Sequence, residues 1–296
     1  MNKTLLIVGG PTASGKTALA IDLATFYGTE IVSADARQFY REISIGTAKP
    51  SEKELHSVPH HFINSHSVTD HVNAADYGMM ARELLQQLFK KHDLVVLAGG
   101  SGLFIDAVTG MIDELPAASE QHRNFLNDLL NKEGLTALQD LLKVKDPVTH
   151  SRIDLMNPRR VIRALEVILT VGKPYSQLIR KSLPDCPWNI IRTGVLHSRD
   201  TLYERINLRT AEMIFSGLKD EAISVYDYKS LPALQTVGYR EMFDHIEGKY
   251  SIETAQELIA QHTRNYAKRQ LTWFRKYEDM VWIAPDEQHR IHRLIG

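Results

Sequence analysis

From Gly10 to Thr17 the chain reads Gly-Pro-Thr-Ala-Ser-Gly-Lys-Thr: a glycine, four residues, then glycine, lysine and threonine. This spacing builds an anion cradle. The glycines let backbone N–H groups turn toward one point, and a helix opening at the second glycine adds the positive end of its dipole. Lys16 supplies a mobile charge for terminal phosphate oxygens, and Thr17 offers a hydroxyl to magnesium. The motif selects a di- or triphosphate without saying which. A carboxylate, Asp35, follows a second apolar run at Glu30–Ser33. In an open parallel sheet, ligands bind outside the carboxyl ends of the strands. Asp35 is therefore expected on the same rim as Lys16, where it could accept a proton from a nucleophile. Taken alone, such an aspartate is more often a turn or helix-cap residue. Gly99-Gly100-Ser101-Gly102 makes a second glycine turn with Ser101 at its tip. ATPases and GTPases usually end that strand with an aspartate supporting magnesium; this chain has none there.

These groups need strands and helices to carry them. Lys3–Val8, Glu30–Ser33 and Asp93–Ala98 are short apolar runs, and Thr17–Tyr27 and Ala74–Lys91 carry helical periods. Continuous apolar strands predict a parallel sheet buried on both faces, and the strand–helix alternation predicts a doubly wound α/β fold. From Pro116 to about Pro187 the pattern is helical without a convincing strand. Asn157, Pro158 and Gly172 mark the start and end of one helix there. A strand returns at Asn189–Leu196. Helices follow at Thr201–Ser216, Lys219–Tyr226, Tyr239–Glu247 and Ile252–Lys276, with a last strand at Met280–Ile283. The expected organisation is a P-loop, nucleotide-kinase-like parallel sheet over residues 1–115 and 188–296, interrupted by a helical insertion over 116–187.

The 296 residues are 43% hydrophobic and 24% charged, with net charge -1, which excludes a disordered tail, a collagen-like fibre and a disulfide scaffold. A single cysteine, Cys186, permits no intrachain disulfide and fits a reducing cytosol. No apolar run has the length to cross a bilayer, and the opening residues read as a strand rather than a secretion signal. Five histidines fall between His56 and His71, but their spacing fits no zinc site, and His60-His61 reads as structural.

The sequence resembles the tRNA dimethylallyltransferases, also called tRNA isopentenyltransferases. The resemblance rests on Gly10–Thr17, Ser33-Ala34-Asp35 with Gln38 and Tyr40, Ile45–Pro50, His60-His61 and Gly99–Leu103. It continues through Arg163–Val167, Val237-Gly238-Tyr239 and Tyr266–Arg275, in the family's order and across most of the chain. The phosphate loop alone is shared with many kinases; its combination with the Asp35 and Ala267–Arg275 segments is far more specific. The resemblance implies transfer of a dimethylallyl group from dimethylallyl diphosphate to the exocyclic amine (N6) of the adenosine 3′ of the anticodon. Gly10, Thr12, Ala13, Ser14, Gly15, Lys16, Thr17 and Arg209 would then hold diphosphate, with Mg2+ on Thr17. Lys16, Thr17 and Asp35 would be catalytic, Asp35 as the proton acceptor. The implied tRNA-binding residues are Asp35, Ala36, Arg37, Gln38, Ser101, Arg123, Arg159, Arg160, Val161, Ile162 and Arg163. The partners are the tRNA anticodon stem-loop and dimethylallyl diphosphate, without a membrane; the expected state is a cytoplasmic monomer.

Some positions depart from the family pattern. Ala36 stands where serine is common, Ser101 replaces threonine and Phe104 replaces tyrosine. Asp154–Arg160 differs more, and Arg159 there adds charge to the implied RNA face. Arg159, Arg160 and Arg163 share one sector of their helix, opposite an apolar stripe at Val161, Leu165, Ile168 and Leu169. Gln261–Lys276 mixes five cations with Tyr266, Trp273 and Phe274 and has no acid, a composition suited to unpaired bases and backbone. Three other activities use the same motifs. A small-molecule kinase would cleave ATP on the phosphate loop, a prenyltransferase could act on a free adenylate, and an RNA-binding protein could carry a vestigial loop. The arginine-bearing insertion argues against the free adenylate.

Overall fold

The structure, a computed structural model, describes residues 3–295 except 114, 117–118 and 180–185. Among the described residues there is one sheet, built from Thr4–Gly9 (β1), Ile31–Ser33 (β2), His60–His61 (β3), Leu94–Gly99 (β4), Asn189–Val195 (β5) and Val281–Ile283 (β6). The order is β3-β2-β4-β1-β5-β6 and every pairing is parallel. Central β1 aligns Gly9 with Gly99 of β4 on one side and Gly194 of β5 on the other. The three strands therefore finish level, and the loops leaving them share one rim.

The helices are Lys16–Phe26 (α1), Glu52–Ser57 (α2), Ala74–Leu88 (α3), Gly102–Thr109 (α4), Glu120–Lys145 (α5), Pro147–Arg152 (α6), Pro158–Val171 (α7), Arg199–Phe215 (α8), Leu218–Ser224 (α9), Tyr239–Ile246 (α10), Ile252–Phe274 (α11) and His289–Ile295 (α12). The chain divides into two compact units, 1–109 with 186–296, and 110–185. In the first, helices cover both sheet faces, which explains the unbroken apolar run of β1. Leu5 and Ile7 pack with Val95, Leu97 and Phe104 on one face; Leu6 and Val8 pack with Leu19 and Leu23 of α1 on the other.

The second unit holds α5, α6 and α7 around Leu126, Leu138, Leu142, Val161 and Leu165. As the sequence predicts, the Asn157 side chain caps the start of α7, Pro158 occupies its first turn, and Gly172 ends it with φ 74°. Helix α5 is interrupted at Gly134, where φ is 82°. The division at 109/110 falls earlier than the 115/116 read from sequence, because α4 already ends at Thr109. The two-residue strand β3 and helices α2, α4 and α12 are additions to the elements read from the sequence. No helix among the described residues is long and apolar enough to cross a membrane.

Candidate active site

The loop from β1 to α1 winds through left-handed backbone at Gly10 (φ 138°), Ala13 (φ 62°) and Gly15 (φ 90°). Glycine suits the first and last, whereas Ala13 is held there against its preference. Its holders are visible. Arg205 of α8 donates Nε–H to the Ala13 carbonyl at 2.7 Å, and His197 donates to the Ser14 carbonyl at 2.8 Å. Arg209 of α8 reaches the Thr12 hydroxyl at 2.9 Å, and Gln270 of α11 accepts the Thr12 N–H at 2.8 Å. Inside the loop the Ser14 Oγ is buried with no hydrogen-bond partner among the described residues. A buried orphan hydroxyl in an amide-lined turn suits an incoming oxyanion.

Lys16 donates to the Pro11 carbonyl at 3.3 Å. Burial lowers its pKa to about 8; the Asp35 charge opposes that shift and the Arg209 charge adds to it. Burial also lowers the pKa of Arg209, again against the pull of Asp35. Lys16, Arg209 and Asp35 thus form one electrostatic group.

Asp35 leaves the end of β2 in a turn. Its Oδ1 accepts the N–H groups of Arg37 at 2.9 Å and Gln38 at 3.3 Å. Among the described residues Oδ2 has no protein partner. The Ser101 N–H donates to the Ala34 carbonyl at 3.1 Å, which sets the second glycine turn beside Asp35. Only glycine fits at 99, where a Cβ would stand 2.1 Å from the Ala34 carbonyl oxygen. The Ser101 Oγ accepts the Phe104 N–H at 3.4 Å at the start of α4. Gln38 donates its amide to the carbonyls of Thr47 and Ala48 at 3.2 and 3.1 Å, so its side-chain oxygen is turned elsewhere. Enclosure of its hydroxyl and the nearby Asp35 charge push Tyr266 up to about 12. The residue as a whole is 37% exposed.

Two cavities meet at this rim. A cleft of about 330 Å³ is lined by Gly15, Lys16, Thr17, Arg205, Arg209 and Glu212. A second cavity of about 30 Å³ is lined by Lys16, Thr17, Ile31, Asp35, Gln38 and Ala98. Lys16 and Thr17 form the wall common to both. One side presents a cationic cleft sized for a small phosphate ester, and the other presents a carboxylate.

Residues 38–277 match a family model described as IPP transferase. A tRNA dimethylallyltransferase of Christiangramia forsetii is 43% identical over 98% of this chain and 96% of its own length. One from Cytophaga hutchinsonii is 43% identical over 97% of this chain and 94% of its own. The chain belongs to the IPP transferase family. It is a transferase, and the resemblance drawn from its motifs holds. Among solved structures, a tRNA isopentenylpyrophosphate transferase from Bacillus halodurans matches this IPP transferase with TM-score 0.73 and 35% identity, covering 100% of this chain and 96% of the other. A eukaryotic dimethylallyltransferase caught acting on tRNA matches with TM-score 0.78 over 92% of this chain and 70% of its own; at 21% identity it supports the fold.

In this IPP transferase, Ala13, Gly15, Lys16, Thr17 and Arg209 line the cationic cleft, Thr12 is hydrogen-bonded to Arg209, and Gly10 and Ser14 belong to the same loop without lining the cleft, while Asp35–Gln38 and Ser101 lie beside one another at the neighbouring turns. The other arginines belong to the second unit. Arg159 and Arg160 are exposed near the start of α7. Arg123 and Arg163 both approach the carboxylate of Glu166, itself 4% exposed, at 2.8 and 3.7 Å. Glu166 thereby holds two cations in place at the surface of that unit. Val161 needs correction as an RNA contact: its side chain is fully buried in the core of the second unit, because it lies on the apolar stripe of α7. Ile162 is half-buried.

Sequence reading assigned no role to Arg205, His197, Gln270 and Glu221, although Gln270 lies within the Tyr266–Arg275 segment that carries the resemblance. Arg205 carries a signal, since it sits four residues before Arg209 on the same helix face. Glu221 of α9 accepts the N–H groups of Ser44, Ile45 and Gly46 at 2.7, 2.8 and 3.0 Å, along with the Tyr239 hydroxyl. It fixes the loop that in turn holds Gln38, and nothing in its local sequence announces that.

Proposed function

We propose that this protein transfers a dimethylallyl group from dimethylallyl diphosphate to N6 of the adenosine 3′ of the anticodon in tRNA, giving N6-(dimethylallyl)adenosine and diphosphate. The observation that carries this reading is the shared wall of Lys16 and Thr17, with a cationic cleft on one side and the Asp35 carboxylate on the other. The allylic C–O bond breaks, and its electron pair leaves on the diphosphate. Loop amides, Lys16 and Arg209 meet that charge as it develops. The adenine N6 forms the new bond to carbon, and its proton passes to Asp35, whose Oδ2 faces no other protein group among the described residues. An anion in the cleft keeps the proton on Lys16, which otherwise titrates at about 8.

The base must leave the anticodon-loop stack to arrive here, as other base-modifying enzymes require. Gln38, with its donors occupied by the Thr47 and Ala48 carbonyls, can accept a hydrogen bond from an incoming nucleotide. Arg159 and Arg160 suit the phosphate backbone of the anticodon stem-loop, with Arg123 and Arg163 oriented by Glu166.

Magnesium fits as a diphosphate counter-ion. Among the described residues no three acidic, histidine or cysteine side chains gather around a metal. Mg2+ needs few protein ligands when phosphate oxygens and water complete its shell, and Thr17 on the wall of the cleft can supply a hydroxyl. Bound there, it would neutralise leaving-group charge. A cytoplasmic monomer completes the proposal. The test is mass spectrometry of tRNA incubated with the protein and dimethylallyl diphosphate. A prenyl mass gain on adenosine 3′ of the anticodon supports it. Unmodified tRNA, together with ATP cleavage that dimethylallyl diphosphate does not inhibit, overturns it.

A further inference from the structure

Helix α11 presses on both glycine turns at once. A Cβ at Gly9 would stand 2.5 Å from the Phe274 ring, and one at Gly102 would stand 2.0 Å from the Trp273 ring. Between them lies Gln270, 6% exposed. Its Oε1 accepts the Thr12 N–H and its Nε2 donates to the Gly100 carbonyl, each at 2.8 Å. A Cβ at Gly100 would stand 2.3 Å from that nitrogen, so glycine is what admits the amide. Among the described residues no other side chain hydrogen-bonds to the backbone of both turns. One turn follows β1 and the other follows its neighbour β4. A carboxamide suits this bridge because one rigid plane offers an acceptor and a donor.

We propose that Gln270 is a positioning residue that sets the separation between the loop holding the departing diphosphate and the loop beside the acceptor base. The proposal rests on the prenyl-transfer reading above. The reacting carbon and nitrogen are delivered by these two loops, and a misplacement of about 1 Å between reacting groups can cost on the order of 10²-fold in rate. Gln270 acts through Thr12 and Gly100 and touches neither substrate.

The experiment compares wild type with Gln270→Met, which keeps shape and removes both hydrogen bonds, and Gln270→Glu, which keeps one. An ionised carboxylate can accept from Thr12 but cannot donate to Gly100. A protonated carboxyl can do both. In Gln270→Met, kcat should fall roughly ten- to hundredfold, while KM for dimethylallyl diphosphate and for tRNA changes by a smaller factor. In Gln270→Glu, kcat divided by that of wild type should rise as pH is lowered, as the introduced carboxyl takes up a proton. Dividing by wild type removes the pH dependence common to both enzymes. Hydrogen exchange at the Thr12 amide, protected in wild type and fast in Gln270→Met, reads the bond without any reaction. Variants with kcat within about threefold of wild type, a flat pH ratio, or loss of the folded circular-dichroism signal in both variants each overturn the positioning role. Failure of wild type to prenylate tRNA would remove the functional reading instead, and Thr12 exchange would then still report whether the bridge exists.

Discussion

Replacing Asp35 by asparagine separates the chemistry from the scaffold. Asparagine keeps the Oδ1 that accepts the Arg37 and Gln38 N–H groups at 2.9 and 3.3 Å, so the turn after β2 should persist. The second oxygen becomes an amide, which cannot take the N6 proton. Loss of a general base removes about 10²–10⁴ in rate, equivalent to roughly 3–5 kcal/mol in the barrier. A smaller effect follows from the charge. Asp35 opposes the burial-driven fall of the Lys16 pKa, so Asp35→Asn should bring it below its present value of about 8. The assay is single-turnover transfer at pH 7 with both substrates saturating, alongside filter binding of tRNA. The expected result is a rate lower by at least about a hundredfold, with tRNA affinity within about threefold. A rate within tenfold of wild type, or a loss of RNA affinity as large as the loss of rate, would refute Asp35 as the proton acceptor.

Four further outcomes are expected. KM for dimethylallyl diphosphate should rise above pH 8 as Lys16 loses its proton, whereas the unliganded protein should gain stability between about pH 8 and 10.5, where the unfolded lysine holds a proton the folded one has lost; initial rates and urea midpoints across pH check both signs. Gly99→Ala should destabilise the protein by about 3 kcal/mol or more, because the added Cβ would stand 2.1 Å from the Ala34 carbonyl oxygen, and denaturant unfolding measures it. Replacing both Arg159 and Arg160 by alanine should weaken tRNA binding and make its log–log salt dependence shallower by roughly 1.5 to 2, without lowering kcat at saturating tRNA; fluorescence anisotropy across a salt series reads the slope.

What the sequence disclosed follows from how local each signal is. The phosphate loop is legible because its glycines, Lys16 and Thr17 lie within eight consecutive positions and the strand and helix around them have clear periods. The caps of α7 are legible for the same reason. Strand β3 is not, since His60 and His61 become a strand only by pairing with Ile31 and Val32. Gln270 hydrogen-bonds to a residue 258 positions away, and Glu221 to residues 175 to 177 positions away. Such partners are chosen by the closed fold, and a polar residue on a helix gives no hint of them. Val161 shows the opposite case: its helical period placed it on the apolar stripe, and its burial agrees with that period rather than with the arginines beside it.

The order in which the sheet acquires its strands bears on biosynthesis. β1 emerges first from the ribosome, yet one of its two neighbours, β5, lies beyond the whole of residues 110–185. Until residue 189 is made, one edge of the future central strand has no native partner and is open to pairing with another nascent chain. The anion cradle is completed later still, by side chains from α8 and α11. A polypeptide halted before these helices would carry the whole glycine-lysine motif without the side chains that hold it in shape.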